Sequence, residues 1–212
     1  MNNRQEKKLL TRQSLMNAAL QWVEEGQHIS SLSIREVAKR AGVVPTAFYR
    51  HFNDVEDLAL NLVDELSKVL RQLMREVRQQ RTDPHSLIQD SLTQYCDYVF
   101  RQRVFFVFLA QSMTGGTFNV RNAIRSELQY FANELALDIK RMGMLPNLSS
   151  DMLDNVTQMT INTFATATME LLDLPVTNTV ALEQFQRRLK RQLQLVFLGA
   201  AHWAPVQAPT SL

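Results

Sequence analysis

Apolar residues recur along the chain at the three- and four-residue intervals of an α-helix, and almost no stretch alternates in the two-residue period of a strand. The stripe that ends at Trp22 and Val23, ahead of Gly26, marks the first helix. The pattern predicts an all-α fold of about nine helices. We place them at about residues 6–25, 33–41, 45–51, 54–81, 84–102, 104–113, 118–142, 150–173 and 180–204.

The second and third helices are short and a glycine separates them. Ser33 and Glu36 form a capping box at the start of the second helix, and Gly42 ends that helix. Pro45 suits the first position of the third helix, where a missing N–H has no cost. This arrangement predicts a helix-turn-helix, in which one short helix crosses the DNA backbone and the next enters the major groove.

The third helix has two different faces. Phe48 and Phe52 are spaced i, i+4 and predict an inner face, packed with Val37 and Trp22. The outer face has a hydroxyl, a methyl, a phenol, a guanidinium and an imidazole, which suit base edges and phosphates. The N-terminal amides of the second and fourth helices suit phosphates as well. The candidate DNA-binding residues are Arg4, Lys7, Ser33, Val44, Pro45, Thr46, Ala47, Tyr49, Arg50 and His51.

Charge is concentrated at the N-terminal end. The whole chain has a formal net charge of +2, whereas its first 52 residues hold eight basic and four acidic side chains. The predicted DNA contact is therefore local, with a basic arm at Arg4, Lys7 and Lys8. The alternative from periodicity alone is that the two short helices form an ordinary corner of a helical bundle.

Other features exclude whole classes of protein. A single cysteine, Cys96, gives no disulfide framework, and the four histidines lack the spacing of a metal site. No nucleophile–base pair or phosphate-binding loop is evident, so we predict neither an enzyme nor a cofactor. The N-terminus has no apolar leader segment, and the longest strongly apolar run, 104–110, is too short to span a bilayer. We therefore expect a cytoplasmic protein without membrane insertion.

The run from Ser33 to Leu58, with its Tyr-x-His-Phe core at Tyr49–Phe52, resembles the signature of the TetR family of transcriptional repressors. The nine-helix pattern extends this resemblance over the whole chain. It implies a DNA-binding domain at 1–53, a ligand-binding and dimerisation domain at 54–212, and a homodimer on a palindromic double-stranded DNA operator.

One departure from that signature narrows the resemblance. Most family members have a lysine where this chain has Val55, so a phosphate contact by that lysine cannot be transferred. The acidic helix start around Val55 resembles the subgroup that represses unsaturated fatty acid synthesis or fatty acid desaturase genes. That resemblance implies a long-chain acyl thioester of coenzyme A or acyl carrier protein as ligand. It also implies that unsaturated chains favour the DNA-bound state and saturated chains release it.

An apolar ligand needs an apolar cavity, and aromatic and methionine side chains concentrate in the middle of the chain. The alternative is that these side chains form ordinary core. The candidate pocket residues are Leu66, Leu70, Phe100, Phe105, Phe108, Leu109, Met113, Phe118, Phe131, Phe164 and Met169.

A coenzyme A headgroup would require cations at the mouth of the cavity. Basic residues share one face of the fourth helix and cluster on the last helix, although such runs are commonly only solvated faces. The subgroup also carries charged residues where this chain has Ala110, Gln111 and Ser112, so the headgroup contacts are expected to differ. The candidate cations are Lys68, Arg71, Arg75, Arg78, Arg187, Arg188, Lys190 and Arg191.

The last two helices carry the features of a dimer interface. The last helix has an apolar seam that includes Leu182 and Leu193, and small residues on the preceding helix allow close approach. An internal core helix is the alternative. The candidate interface residues are Thr160, Thr163, Ala167, Phe185, Leu189, Val196, Ala200 and Trp203.

We hypothesise that ligand occupancy tilts the fourth helix and so changes the spacing of the two recognition helices, a change that needs only about 1–3 kcal/mol of coupling. A repressor that responds to a different hydrophobic drug or metabolite is the alternative within the same class.

Overall fold

A computed structural model describes residues 3–79, 84–175 and 177–203. Over these residues the chain is helical with no strand, so the predicted all-α fold of nine helices is confirmed. A single 3-10 helix, Ile29–Ser31, follows the first α-helix. The α-helices are α1 (Asn3–Glu24), α2 (Ile34–Arg40), α3 (Pro45–Phe48), α4 (Val55–Gln79), α5 (Pro84–Arg101), α6 (Arg103–Gly115), α7 (Phe118–Arg141), α8 (Ser150–Asp173) and α9 (Thr179–Ala201).

Three helix ends differ most from the predicted bounds, by about three residues each: the start of the first helix, the end of the third, and the end of the last, which stops at Ala201. α1 begins three residues early, so Arg4 and Lys7 lie on a helix and not in an extended arm. The α-helical part of α3 ends at Phe48. The chain continues in tighter i, i+3 turns, with the His51 N–H donating to the Phe48 carbonyl at 2.9 Å. The predicted helix 45–51 is therefore one α-helical turn followed by a tighter turn.

The connection between α2 and α3 is set by local hydrogen bonds. The Ser33 hydroxyl accepts the Glu36 N–H at 3.2 Å, while the Glu36 carboxylate binds Arg40, so the capping box forms only on its serine side. Gly42 has φ +68° and ends α2, with the Val43 N–H donating to the Ala38 carbonyl at 2.9 Å. This left-handed residue redirects the chain into α3.

The chain forms two compact units, and the first comprises Met1–Glu76 and Tyr95–Glu127. Its core contains the predicted inner residues Val37, Phe48 and Phe52, which are buried. Trp22 is only half-buried, and its indole N–H donates to the His28 carbonyl at 3.2 Å, so its prediction as a core residue is wrong. α6 and the start of α7 belong to this unit together with the helix-turn-helix. The functional boundary at residue 53 stays a prediction.

The apolar positions of α4 form a stripe in the sequence at Leu58, Leu62, Leu66 and Val69. Leu58, Leu62 and Leu66 are buried, whereas Val69 is half exposed, so the stripe is covered only over the first part of α4. Leu73 and Val77 continue the stripe in the sequence, and their side chains lie outside the described residues.

The second unit comprises Val77–Gln94 and Leu128–Leu212. In it α8 packs along α9, and a small core forms where Ala136 and Ile139 of α7 meet Leu153 of α8. Gly143 has φ +64° and follows the end of α7, where the chain turns towards α8. Among the described helices, none has an apolar stretch of the length that a bilayer crossing requires.

Candidate nucleic-acid interface

The outer face of α3 and of the turn after it is formed by the side chains left over when Phe48 and Phe52 are buried. Phe48 has no exposed surface and Phe52 is 2% exposed, and their rings pack together with centroids 5.6 Å apart. Because these two rings fix the orientation of the segment, the predicted recognition residues are displayed on the opposite side. Val44, Pro45, Thr46, Tyr49 and Arg50 are exposed, whereas Ala47 and His51 are half-buried.

Tyr49 and His51 are held from behind by aromatic contacts. The Tyr49 ring meets the edge of Phe48 at a centroid distance of 5.9 Å, although Tyr49 is 61% exposed. The His51 ring lies beside Phe52 at 6.4 Å. These contacts limit the rotamers of both side chains, so less conformational entropy is lost when either binds a partner.

His51 lies in a positive environment. Burial lowers the pKa of its imidazole, and the nearby charges of Lys8, Arg12 and Arg50 lower that pKa further. The imidazole is therefore neutral near pH 7. A phosphate brought close to this cluster would reverse the balance and favour the protonated ring.

The other basic side chains of the first unit differ in whether they already form ion pairs. Arg40 donates to Glu25 at 2.6 Å and to Glu36 at 2.7 Å, and its guanidinium lies 4.9 Å from the Trp22 ring centroid. These hydrogen bonds raise the Arg40 pKa. Arg4 and Lys7 remain exposed on α1, on the helix whose N-terminal turns carry the predicted basic cluster. Arg40 is therefore engaged within the unit, while Arg4 and Lys7 are exposed.

The start of α4 is acidic where its position predicts a phosphate site. The Asp57 N–H donates to the Asp54 carboxylate at 2.7 Å, and the Asn53 N–H donates to the Asp57 carboxylate at 2.8 Å. With Glu56, three carboxylates lie at this helix N-terminus, so the Asp57 amide is capped internally and the local charge disfavours a phosphate. The predicted use of the α4 amides stays a prediction, and these carboxylates oppose it.

Sequence reasoning missed Arg12. Its guanidinium donates to the Asn61 side chain at 2.6 Å and lies 4.8 Å from the Phe52 ring centroid. Asn61 in turn donates to the Asp57 carboxylate at 2.8 Å. This network ties α1 to α4 behind the recognition segment. No local signal predicts it, since Arg12 and Asn61 are 49 residues apart.

The predicted pocket residues are distributed over both units. In the first unit Leu66 and Phe108 are buried, Leu70, Phe100, Phe105 and Leu109 are half-buried, Met113 is 41% exposed and Phe118 is 66% exposed. In the second unit Phe131 and Phe164 are half-buried and Met169 is 45% exposed. The half-buried aromatic and leucine side chains have the partial exposure of a cavity lining, whereas Phe118 lies on the surface of its unit.

The predicted headgroup cations are partly engaged within each unit. Lys68 pairs with Asp64 at 2.6 Å, and Arg71 pairs with Glu127 at 3.6 Å. On α9, Arg188 pairs with Glu170 and Lys190 donates to Gln89 at 3.0 Å. Arg75, Arg187 and Arg191 are exposed, and Arg78 lies outside the residues whose side chains are described. A bound headgroup would therefore have to compete with these partners for Lys68, Arg71, Arg188 and Lys190.

The predicted dimer seam is largely the surface by which α9 packs on α8. Thr160, Phe185, Leu189 and Ala200 are buried within the chain. Around them lies an open groove of about 450 Å³ between the two helices, and the predicted residues Thr163, Ala167 and Val196 line it. Trp203 is half exposed at the end of α9. A second copy would therefore have to bind the rim of this seam.

Residues 22–62 match the family model described as bacterial regulatory proteins, tetR family. The match begins within α1 and ends within α4, so it spans the whole helix-turn-helix. This segment is therefore similar to the N-terminal part of tetR-family regulatory proteins. In this chain it is followed by the helices α5 to α9.

Solved structures extend the TetR-type likeness to the whole fold. A chain described as a TetR-family transcriptional regulator from Syntrophomonas wolfei superposes with a TM-score of 0.71 at 14% identity, covering 89% of this chain and 95% of that one. The fatty acid degradation regulator FadR from Bacillus halodurans gives 0.66 at 15% identity, covering 93% and 97%. FadR from Bacillus subtilis, in complex with stearoyl-CoA, gives 0.67 at 16% identity, covering 88% and 98%. At these identities the likeness concerns the fold.

Proposed function

We propose that this chain is a ligand-responsive repressor that binds a palindromic DNA operator as a homodimer and controls unsaturated fatty acid synthesis or desaturation in response to long-chain acyl thioesters. The observation that carries the DNA-binding part is the exposed face of Thr46, Tyr49 and Arg50 over the buried pair Phe48 and Phe52. A hydroxyl, a phenol and a guanidinium exposed together on a short helix suit contacts with base edges and phosphates.

The side chains of this face differ in length and therefore in the part of the DNA that each could contact. Thr46 and Ala47 are short and lie at the start of α3, which suits contacts with base edges, and Arg50 suits a guanine. Tyr49 and His51 suit phosphates, with Ser33, Val44 and Pro45 bringing the α2 and α3 ends close to the backbone. Arg4 and Lys7 add sequence-independent attraction from α1.

Selection from a random duplex library tests the DNA-binding part. The purified chain should retain a palindromic sequence, and its affinity should fall steeply with salt, because each phosphate contact releases counterions. Arg50→Ala should weaken binding to the selected duplex by about 5- to 150-fold, which corresponds to the loss of one base contact. Arg187→Ala, a matched exposed arginine on α9, should leave the affinity unchanged. Retention of no duplex, or equal losses in both variants, would contradict the proposal.

One short recognition helix buries too little surface for tight specific binding, which favours a pair of copies on a two-fold operator. The groove between α8 and α9 supplies a surface for that pairing. The same two helices also expose the apolar side chains of Met159, Leu195 and Leu198, and exposed apolar surface is typical of a protein interface. The proposed interface is therefore the rim of the α8–α9 pair.

The ligand part of the proposal depends on the apolar interior. Phe100, Phe105 and Leu109 are half-buried on adjoining helices of the first unit, and Phe131 and Phe164 are half-buried in the second. Such partly covered apolar side chains suit an acyl chain better than a polar metabolite. A structure with the same fold, FadR from Bacillus subtilis, holds stearoyl-CoA, which supports the choice of an acyl thioester.

Titration of acyl thioesters against the selected duplex tests the ligand part. Stearoyl-CoA should release the duplex and oleoyl-CoA should strengthen the complex, while coenzyme A alone should change nothing. Phe105→Ala should weaken the response without changing affinity for DNA in the absence of ligand. A response to neither thioester, with a response to a planar aromatic compound, would assign the chain to the drug or metabolite class instead.

A further inference from the structure

The imidazole of His28 connects the helix-turn-helix to α6. His28 immediately precedes the 3-10 helix Ile29–Ser31, and its Nε2 lies 3.1 Å from the carbonyl oxygen of Gln111 in the last turn of α6. The two residues are 83 positions apart in the sequence. Both belong to the first compact unit.

The hydrogen bonds define one tautomer of this ring. A carbonyl oxygen can only accept, so Nε2 must carry the proton. The other nitrogen, Nδ1, lies 3.2 Å from the Ser30 backbone N and accepts its proton. Both ring nitrogens therefore make hydrogen bonds. Nε2 donates to α6, and Nδ1 accepts from the head, by which we mean α1 to α3 with the start of α4.

Gly115 makes room for the ring. A Cβ atom at this position would lie 2.6 Å from His28 Nε2, a distance at which something must move. The requirement for glycine here is one of packing, because its backbone is part of α6. The close approach of ring and helix thus depends on the absence of a side chain at 115.

The backbone of His28 is equally engaged. Its carbonyl accepts the Trp22 indole N–H at 3.2 Å and the Ser31 hydroxyl at 2.7 Å. Arg40 of α2 stacks on that same indole at 4.9 Å. α6 also packs directly on α1, and His28 adds a polar connection from α6 to Trp22 of α1 and, through that indole, to α2.

A second contact follows a few residues later. The Thr117 hydroxyl donates to the carboxylate of Glu56, in the first turn of α4. The C-terminal part of α6 and the residue Thr117 after it thus contact two separate parts of the head. Displacement of α6 cannot leave both contacts intact unless the head moves with it.

We propose that His28 is a positioning residue that latches the last turn of α6 to the helix-turn-helix and transmits movements of α6 to the recognition segment. Through Trp22 and Arg40 the latch reaches α2, which precedes α3 by a single glycine turn. This inference rests on the proposed function, since it concerns how that function is regulated. It adds a route from α6 to the head beside the tilt of α4.

Replacing the ring by one without hydrogen-bonding groups tests the latch. His28→Phe keeps a ring of similar shape but loses both bonds, and should lower affinity for the selected duplex about fivefold, with a weaker response to stearoyl-CoA. His28→Gln supplies one donor and one acceptor and should restore both readouts. His202→Phe, at an exposed histidine after α9, is the matched control and should change neither. Equal losses in the Gln and Phe variants would overturn the proposal.

The fit between ring and glycine gives an independent test. Gly115→Ala should displace the ring and lower affinity for the duplex, whereas the double variant His28→Ala with Gly115→Ala should lose less than the two single losses combined. Additive effects would contradict a direct contact between the two sites.

Hydrogen exchange separates the failure of the latch from failure of DNA binding. In His28→Phe the amides of the last turn of α6 and of the 3-10 helix should exchange faster than in the wild-type chain, while those of α8 should not change. This result does not require DNA. If the wild-type chain retains no duplex, the proposed function fails, and unchanged exchange in α6 overturns the latch separately.

Discussion

The helix-turn-helix and the α8–α9 pair are both amphipathic helices, but their apolar faces have different partners. In the helix-turn-helix, Phe48 and Phe52 are buried within the chain, and the polar side chains opposite them are the candidate DNA-binding face. In α9 the most apolar face is also internal, at Phe185, Leu189 and Leu193, so the surface left for a second copy is the less obvious rim. A strong apolar stripe thus locates the core in both regions, whereas the functional surface lies beside it.

The largest expected effect comes from removing the buried ring that orients the recognition segment. Phe48→Ala should lower the free energy of unfolding by about 3–5 kcal/mol, because it leaves a cavity in a fully packed core, and should abolish DNA binding. Thermal denaturation and titration with the selected duplex measure the two effects. Thr46→Ala, on the exposed side of the same helix, should weaken DNA binding without lowering stability. Full DNA binding by Phe48→Ala would refute the role of the buried ring.

A charge on the rim of the α8–α9 groove should separate the subunits. Thr163→Arg adds a long cationic side chain to a groove that already holds Arg188. Two copies that pair through this groove would then bring more positive charge together, so we expect a monomer by sedimentation and a loss of about tenfold or more in affinity for a palindromic duplex, because paired binding is lost. Asn133→Arg, at an exposed position on α7 of the same unit, is the control. If Thr163→Arg remained a dimer, the interface would lie elsewhere.

Introducing a lysine at the start of α4 sharpens the difference between this chain and the common TetR signature. Val55→Lys adds a cation beside the carboxylates of Asp54 and Glu56 and within reach of a phosphate. We expect a severalfold gain in affinity for DNA and a salt slope steeper by about 0.9, the value for one additional phosphate contact. Val55→Gln, which adds length without charge, should not change the slope. No change with lysine would mean that this helix start lies away from the DNA backbone.

The smallest expected effect is a pH dependence of DNA binding. In the free chain burial and neighbouring cations lower the pKa of His51, whereas a nearby phosphate would raise it. Because the pKa of His51 is then higher in the complex than in the free chain, binding of DNA takes up a proton. The affinity for DNA should therefore increase as the pH falls from about 8 to about 6, a range that includes the ordinary histidine pKa of about 6.5. His51→Gln should remove this dependence. An identical pH profile in the variant would exclude a phosphate contact by His51.

The sequence by itself determined the helices and much of the head. Capping by Ser33, the turn at Gly42 and the spacing of Phe48 and Phe52 are local signals, because each depends on residues within one or two turns. The same local rules placed all nine helices, with the bounds of α1, α3 and α9 differing by a few residues.

Only the tertiary structure decided which neighbour covers each apolar face and where distant polar groups meet. Arg12 reaches Asn61 and His28 reaches Gln111 across long separations in the sequence, and the carboxylates of Asp54 and Asp57 are used internally. Periodicity says that a face is apolar, but the free energy gained by burying it is the same against another helix of the chain or against a second copy. The assignment of core, interface and latch therefore required the packed helices.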